Sequence, residues 1–300
     1  MEIIDKIWTY ASNNPILSSV IGGLIVAIIL AGIALLKRKK VDPSSPEGRL
    51  LEATRLLKNG HAEDANELFT RIHSNYPDNK SIASKALAGK AATYLVHGHE
   101  DLNRAIQNSN EAIDLLKTNG DAYFFRGEAY YMKEEYLSAI KDFTEALEQG
   151  TSRKQISSMR RGRCYHYLGN YDQAIDDLTK SLKYDQKSYL ALKYRGDVYV
   201  KIMKYDLAIE DYTKAFKINP KFIEALRQRA SVYVLNRDYE RAIKELTKLL
   251  EINPNYGVSF IKRGMAYNQI SEYIKAFDDF SRALEISPSN LDALQLRGHA

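Results

Sequence analysis

From about residue 120 onward the chain alternates amphipathic runs, with apolar side chains at i, i+3, i+4 and i+7, and short polar turns such as "LGNYD" and "LNRDY". That spacing puts the apolar residues on one face of an α-helix, and a short turn between two such faces predicts an antiparallel helix pair. The pair then recurs. Gly127, Gly162, Gly196, Gly264 and Gly298 stand in one column, with Ala230 filling its gap, at steps of 35, 34, 34, 34 and 34 residues. Three residues after the first five members comes tyrosine (Tyr130, Tyr165, Tyr199, Tyr233, Tyr267), and twelve after comes alanine (Ala139, Ala174, Ala208, Ala242, Ala276). Another tyrosine precedes each alanine by three (Tyr136, Tyr171, Tyr205, Tyr239, Tyr273), and a large apolar residue lies sixteen after the column (Phe143, Leu178, Tyr212, Leu246, Phe280). Pro220, Pro254 and Pro288 close three of the blocks. Small residues are expected where two helices approach closely, the tyrosines and large apolar residues in the space beside them, and proline where the second helix stops.

The pattern continues upstream. "LLEATRLLKNGHAEDANELFTRIHSNYP" carries Ala53, Ala65, Phe69 and Pro77 at the same intervals. Residues 80 to about 119 carry Gly89, Ala105 and Ala112, with about four extra residues at "HGHEDLN" that read as a lengthened turn. His97 and His99 in that turn lack a third ligand nearby and are expected to be solvated rather than metal-bound. Residues 46–300 therefore divide into about seven repeats plus a truncated eighth. Because the chain stops at "LDALQLRGHA", midway through the first helix of the eighth repeat, and a solenoid end needs a polar cap, the native polypeptide is expected to continue beyond Ala300.

These columns, recurring in register over more than 160 residues, resemble the tetratricopeptide repeat (TPR) family. The resemblance implies an all-α fold, a right-handed superhelical solenoid of antiparallel helix pairs, and a protein-interaction scaffold rather than an enzyme. It also implies that the first helix of each repeat lines a concave groove for a protein or peptide ligand. The positions three before, one after and four after the glycine column would face it. These are Phe124, Glu128 and Tyr131; Met159, Arg163 and His166; Lys193, Asp197 and Val200; Arg227, Ser231 and Val234; and Ile261, Met265 and Asn268. Apolar pockets would supply affinity there and mixed charges register. Repeats of this family that clamp chaperone carboxylate tails resemble one another in an asparagine directly after the glycine. Here Glu128, Arg163, Asp197, Ser231 and Met265 stand instead, which argues against that ligand.

The start of the chain has another pattern. Ile16 to Leu36 is an uncharged run of 21 residues, about 32 Å as a helix and enough to cross a hydrocarbon core of about 30 Å. Its acidic leader, its length and the four cations that follow (Lys37, Arg38, Lys39, Lys40) favour a signal anchor over a cleaved signal peptide. Four cations after the run against one before it place the downstream chain on the cytosolic side, with the amino terminus outside. Residues 1–14 are thus read as a leader, 15–36 as one transmembrane helix, 37–45 as a basic Pro/Ser linker and 46–300 as the solenoid. In that linker Ser45 and Pro46 suit a helix cap and first position. Gly23, Ala27 and Ala31 form a small-residue face that could pair two such helices in a homodimer.

Charge and composition narrow the function. The formal net charge is +5, but outside the first 45 residues 38 basic side chains face 35 acidic ones, too near balance for a nucleic-acid binder. A single cysteine, Cys164, permits no intrachain disulfide and, without a visible base, reads as a packing thiol. No phosphate loop, GxSxG, HExxH or paired-cysteine spacing is present, so neither catalysis nor a cofactor is expected. One further column stands out. Arginine precedes the glycine column at Arg126, Arg161, Arg195, Arg229, Arg263 and Arg297, and sixteen residues after each of the first five is an acid: Asp142, Asp177, Asp211, Glu245 and Asp279. Two readings are open: a ladder of salt bridges between helices, or a row of guanidinium groups gripping an acidic or phosphorylated ligand. The sequence is compatible with an adaptor of a bacterial inner membrane, a protein resembling mitochondrial outer-membrane import receptors, or the regulatory region of a longer enzyme.

Overall fold

A computed structural model describes residues 41–96 and 101–299, and the described residues are all-α, with fifteen helices and no strand. The anchor and dimer face expected within residues 1–40, and His97 and His99, lie outside the described residues. Among the described residues no helix is long and apolar enough to cross a membrane. The chain divides into two compact units, ending and beginning at Tyr184 and Asp185. The first contains α1 (Pro46–Lys58), α2 (Ala62–Asn75), α3 (Lys80–Val96), α4 (Leu102–Leu115), α5 (Gly120–Met132), α6 (Tyr136–Glu148), α7 (Lys154–Tyr167) and α8 (Tyr171–Tyr184). The second contains α9 (Tyr189–Lys201), α10 (Tyr205–Ile218), α11 (Ile223–Leu235), α12 (Tyr239–Ile252), α13 (Gly257–Gln269), α14 (Tyr273–Ile286) and α15 (Leu291–His299). Each odd-numbered helix up to α13 packs against the even-numbered helix that follows it.

Local chemistry sets the helix ends. Ser45 caps α1 by accepting from the Gly48 N–H at 3.0 Å, with Pro46 in the first turn where its missing donor costs nothing. Pro77, Pro220, Pro254 and Pro288 each fall two residues past a helix end and block its continuation. Inside five repeats the turn between the two helices is the same. The chain leaves the first helix through one left-handed residue, and the next N–H returns to the carbonyl of the first tyrosine column, as from Asn170 to Tyr165 and Asp238 to Tyr233, both 2.9 Å. Only one of these left-handed residues is glycine, Gly169 at φ 78°; the others are Glu134, Met203, Arg237 and Ser271 at φ between 58° and 63°. Side chains with a Cβ are strained there. Met203→Gly or Arg237→Gly is expected to add about 0.5–1 kcal/mol of stability, read as a higher urea midpoint at unchanged slope.

The repeat's interior follows from one contact. A Cβ on Gly196 would lie 2.8 Å from the Tyr212 ring, and on Gly264 2.7 Å from the Phe280 ring, so the large residue sixteen positions on occupies the space a side chain would need. Ala230 fits in the same column because its partner there is Leu246, and both belong to one buried cluster. In the second repeat Ser109 replaces the large residue, and Phe69 from the repeat before covers Gly89 instead. Gly264→Ala should therefore cost about 1–2 kcal/mol by overpacking. Adding Phe280→Leu should return part of that loss in the same denaturation experiment. The alanine column is wholly buried. The tyrosine columns differ from expectation: most sit half-buried at helix ends, and Tyr273 is 51% exposed, because the residue at sixteen already fills the interior.

Candidate functional site

The arginine column meets the acid column in every described repeat that has both. Arg126 Nε and Nη2 donate to Asp142 at 2.8 and 2.7 Å, Arg161 to Asp177 at 2.6 and 2.8 Å, and Arg195 to Asp211 at 2.8 Å twice. Arg229 Nη2 reaches both Glu245 oxygens at 2.8 Å, and Arg263 reaches Asp279 at 2.8 and 2.7 Å. In four rungs the carboxylate is buried while the arginine keeps a solvent edge, and in the fifth Arg229 and Glu245 are buried alike. These bidentate bonds hold the Arg195 and Arg263 guanidinium groups above their ordinary value. The remaining Nη1 reaches back to the second helix of the preceding repeat: Arg126 to Asn110, Arg161 to Thr144, Arg229 to Thr213 and Arg263 to Thr247, at 2.7 to 3.0 Å. The sequence carried a signal for this second contact, a Thr column two residues after the acids, which the pairing of arginine with acid alone does not use.

The stripe expected to line an open groove divides between the units. In the first unit Phe124, Glu128, Tyr131, Met159 and Arg163 are buried, and only His166 is half-buried, which corrects the expectation of an open face there. The cause is mutual packing. Phe124 lies against Phe125 and Phe143, and the Arg160 and Arg163 guanidinium groups stand 5.0 and 5.2 Å from the Tyr131 ring. Glu128 accepts from Arg160 Nε at 2.8 and 3.1 Å, in a pair whose side chains are each 1% exposed. His166 stacks on Tyr167, whose hydroxyl accepts from Arg163 at 3.0 Å. Cys164 is fully buried beside this cluster, and burial, with Glu128 near, pushes its thiol up to about 12, so it packs rather than reacts.

In the second unit the stripe is open. Lys193, Asp197, Val200, Arg227, Ser231, Val234, Ile261 and Asn268 are half-buried, and Met265 is 40% exposed. Its polar members are held by one another. Lys193 pairs with Asp197 at 2.8 Å, and Asp197 also accepts from the Tyr212 hydroxyl at 2.7 Å. Arg227 grips both oxygens of Glu224 at 2.6 and 2.8 Å and donates to the Tyr256 hydroxyl at 3.1 Å. Lys262, which the sequence reading did not include, donates to Ser231 Oγ at 2.6 Å. Its column, two before the glycine, also supplies Arg160, so this position meets the residue one after the glycine in the preceding repeat. Fixed charges alternating with Val200, Val234, Ile261 and Met265 make a surface on which an extended chain could be held by both apolar and ionic contacts. No group of three or more metal-ligating side chains occurs among the described residues.

Sequence models of the tetratricopeptide repeat match residues 158–188, 189–222 and 223–256. Those three blocks are the fourth, fifth and sixth repeats of the geometry above. The outer dynein arm-docking complex subunit 4 of Mus musculus is 31% identical over 72 residues, which make up 24% of this chain and 11% of that protein. The fold is also shared with solved structures. The Cut9-Hcn1 hetero-tetramer of the APC/C is similar at 18% identity and a TM-score of 0.61, over 86% of this chain and 49% of that one. YrrB, a TPR protein with an unusual peptide-binding site, is similar at 22% identity and a TM-score of 0.56, over 63% of this chain and 97% of that one.

Proposed function

We propose that this TPR protein is a non-enzymatic scaffold that binds an extended segment of a partner protein along the first-helix face of α9, α11 and α13, and holds it at a membrane. The observation that carries the reading is the contrast between the two units. The stripe is closed by its own packing in the first and stays open in the second, with its charges already oriented. Side chains fixed before binding lose less entropy on binding, which suits a recognition surface. YrrB, of the same fold, has a peptide-binding site, and the proposal extends that use to this chain. Tethering rests on the apolar run 15–36 and the four cations after it, which would leave the repeats on the cytosolic side.

Crosslinking in intact membranes tests both parts. A photoreactive residue at Met265 should trap a discrete partner, while the same group at Lys214, on the second helix α10, should not. Equal trapping at the two sites would remove the open face from the proposal. Carbonate extraction that releases the full chain from the membrane would remove the tether.

A further inference from the structure

Because α9 to α14 pack one against the next, the three turns within the repeats of the second unit, 202–204, 236–238 and 270–272, line up along one edge of it. None of them uses glycine at its left-handed position: Met203 and Arg237 stand at φ 58° and Ser271 at φ 63°. At Met203 the backbone strain coincides with a second cost. Its side chain is 75% exposed, so the fold gains little from a large apolar group that glycine could replace. Met203 also has apolar neighbours on this edge. Leu235, the last residue of α11, is 54% exposed, and Ile274, in the first turn of α14, is 81% exposed. The position of Ile274 holds exposed Asp206 and Glu240 in the two preceding repeats, so it points outward in all three. Leu207 and Ile270 extend the strip.

Cations are set among these tips. Arg241 is held by Asp238 at 3.3 Å and Lys275 by Glu272 at 3.2 Å. Lys201, Lys204 and Arg237 are exposed, and among the described residues no carboxylate lies within ion-pair distance of them. With Asp206 and Glu240 as the other acids on the strip, the edge keeps one excess positive charge. Large apolar side chains that protrude singly from turns, with ammonium and guanidinium groups beside them, match the layered chemistry of a membrane surface. The apolar tips can enter the boundary of the acyl chains while the cations stay among the phosphates. A protein groove needs a continuous apolar wall, which protruding turns do not make.

We propose that the turn edge of α9 to α14 lies on an anionic membrane surface, with Met203, Leu235 and Ile274 dipping into it and Lys201, Lys204 and Arg237 holding its headgroups. This rests on the membrane-tether reading above and adds a second, peripheral contact by the repeats themselves. Such a contact fixes which way the second unit faces, where a tether alone leaves it free to tumble.

The test reconstitutes the full chain, carrying an environment-sensitive dye on Ile274→Cys, into vesicles of phosphatidylcholine alone or with about 30% phosphatidylserine. The buried Cys164, its thiol pushed up to about 12, leaves the introduced cysteine as the one that reacts. Dye emission should be about twofold higher in the anionic vesicles and fall back at about 0.5 M salt, while the same dye on Lys214→Cys should not respond. Met203→Gly/Arg237→Gly should abolish the response and raise the urea midpoint, which separates the membrane contact from a role in folding. Equal emission in both vesicles, an equal response at position 214, or a full response in the double variant overturns the proposal while leaving the tether standing. A response in native membranes that pure lipid vesicles do not give marks a protein contact and overturns it as well. A chain that floats with neither kind of vesicle overturns both readings.

Discussion

Methionine in place of Arg160 is expected to cost the folded protein about 3–5 kcal/mol, the largest single effect outside the apolar core. The Glu128 and Arg160 side chains are each 1% exposed, so removing the cation leaves a buried carboxylate without the donor that holds it. Glu128→Leu should be damaging for the mirror-image reason. The double variant Glu128→Leu/Arg160→Met should recover most of the loss, because an apolar pair of similar volume carries no desolvation penalty. Urea unfolding followed by helical circular dichroism reads all three variants. A double variant as unstable as either single would show that the singles lost packing rather than charge balance.

Arg195→Ala is expected to lower stability by about 2–3 kcal/mol and shift the melting temperature down by several degrees. Asp211 keeps only 3% of its side chain exposed and would lose both of its bonds to the guanidinium. Arg195→Lys should restore only part of the loss, since an ammonium cannot make the bidentate contact. Peptide affinity of the protein that remains folded should be unchanged. The opposite result, weaker binding at an unchanged melting temperature, would turn the ladder back into a ligand grip.

The ladder was legible in the sequence because its two members recur at a fixed sixteen-residue offset within one repeat, and a periodic feature announces itself. So were the glycine column and its large partner, whose steric relation is local to one helix pair. What escaped were contacts between neighbouring repeats. Glu128 and Arg163 look like groove residues when each helix is considered alone, and only the packing of α5 against α7 turns them inward around Tyr131. Lys262 escaped for a related reason. Its column holds Phe125, Arg160, Tyr194, Gln228 and Lys262, which share no chemistry, so no pattern marks the position. Phe69 over Gly89 likewise depends on Ser109 being small in a different repeat. The left-handed turn residues carry little signal either, since Glu134, Met203, Arg237 and Ser271 have no common property beyond the place they occupy.

The arginine ladder also bears on how such a chain can be lengthened or trimmed. In each rung the two charged partners belong to one repeat, and at Arg126, Arg161, Arg229 and Arg263 the bond reaching the previous repeat ends on a threonine hydroxyl or an asparagine amide. A repeat duplicated or deleted as a block therefore takes its charge and counter-charge along and leaves behind only a neutral group that water can satisfy. The Glu128–Arg160 pair breaks that rule, because it spans α5 and α7. Recombination between the third and fourth repeats would strand a buried ion on each side, which binds those two repeats into one heritable block.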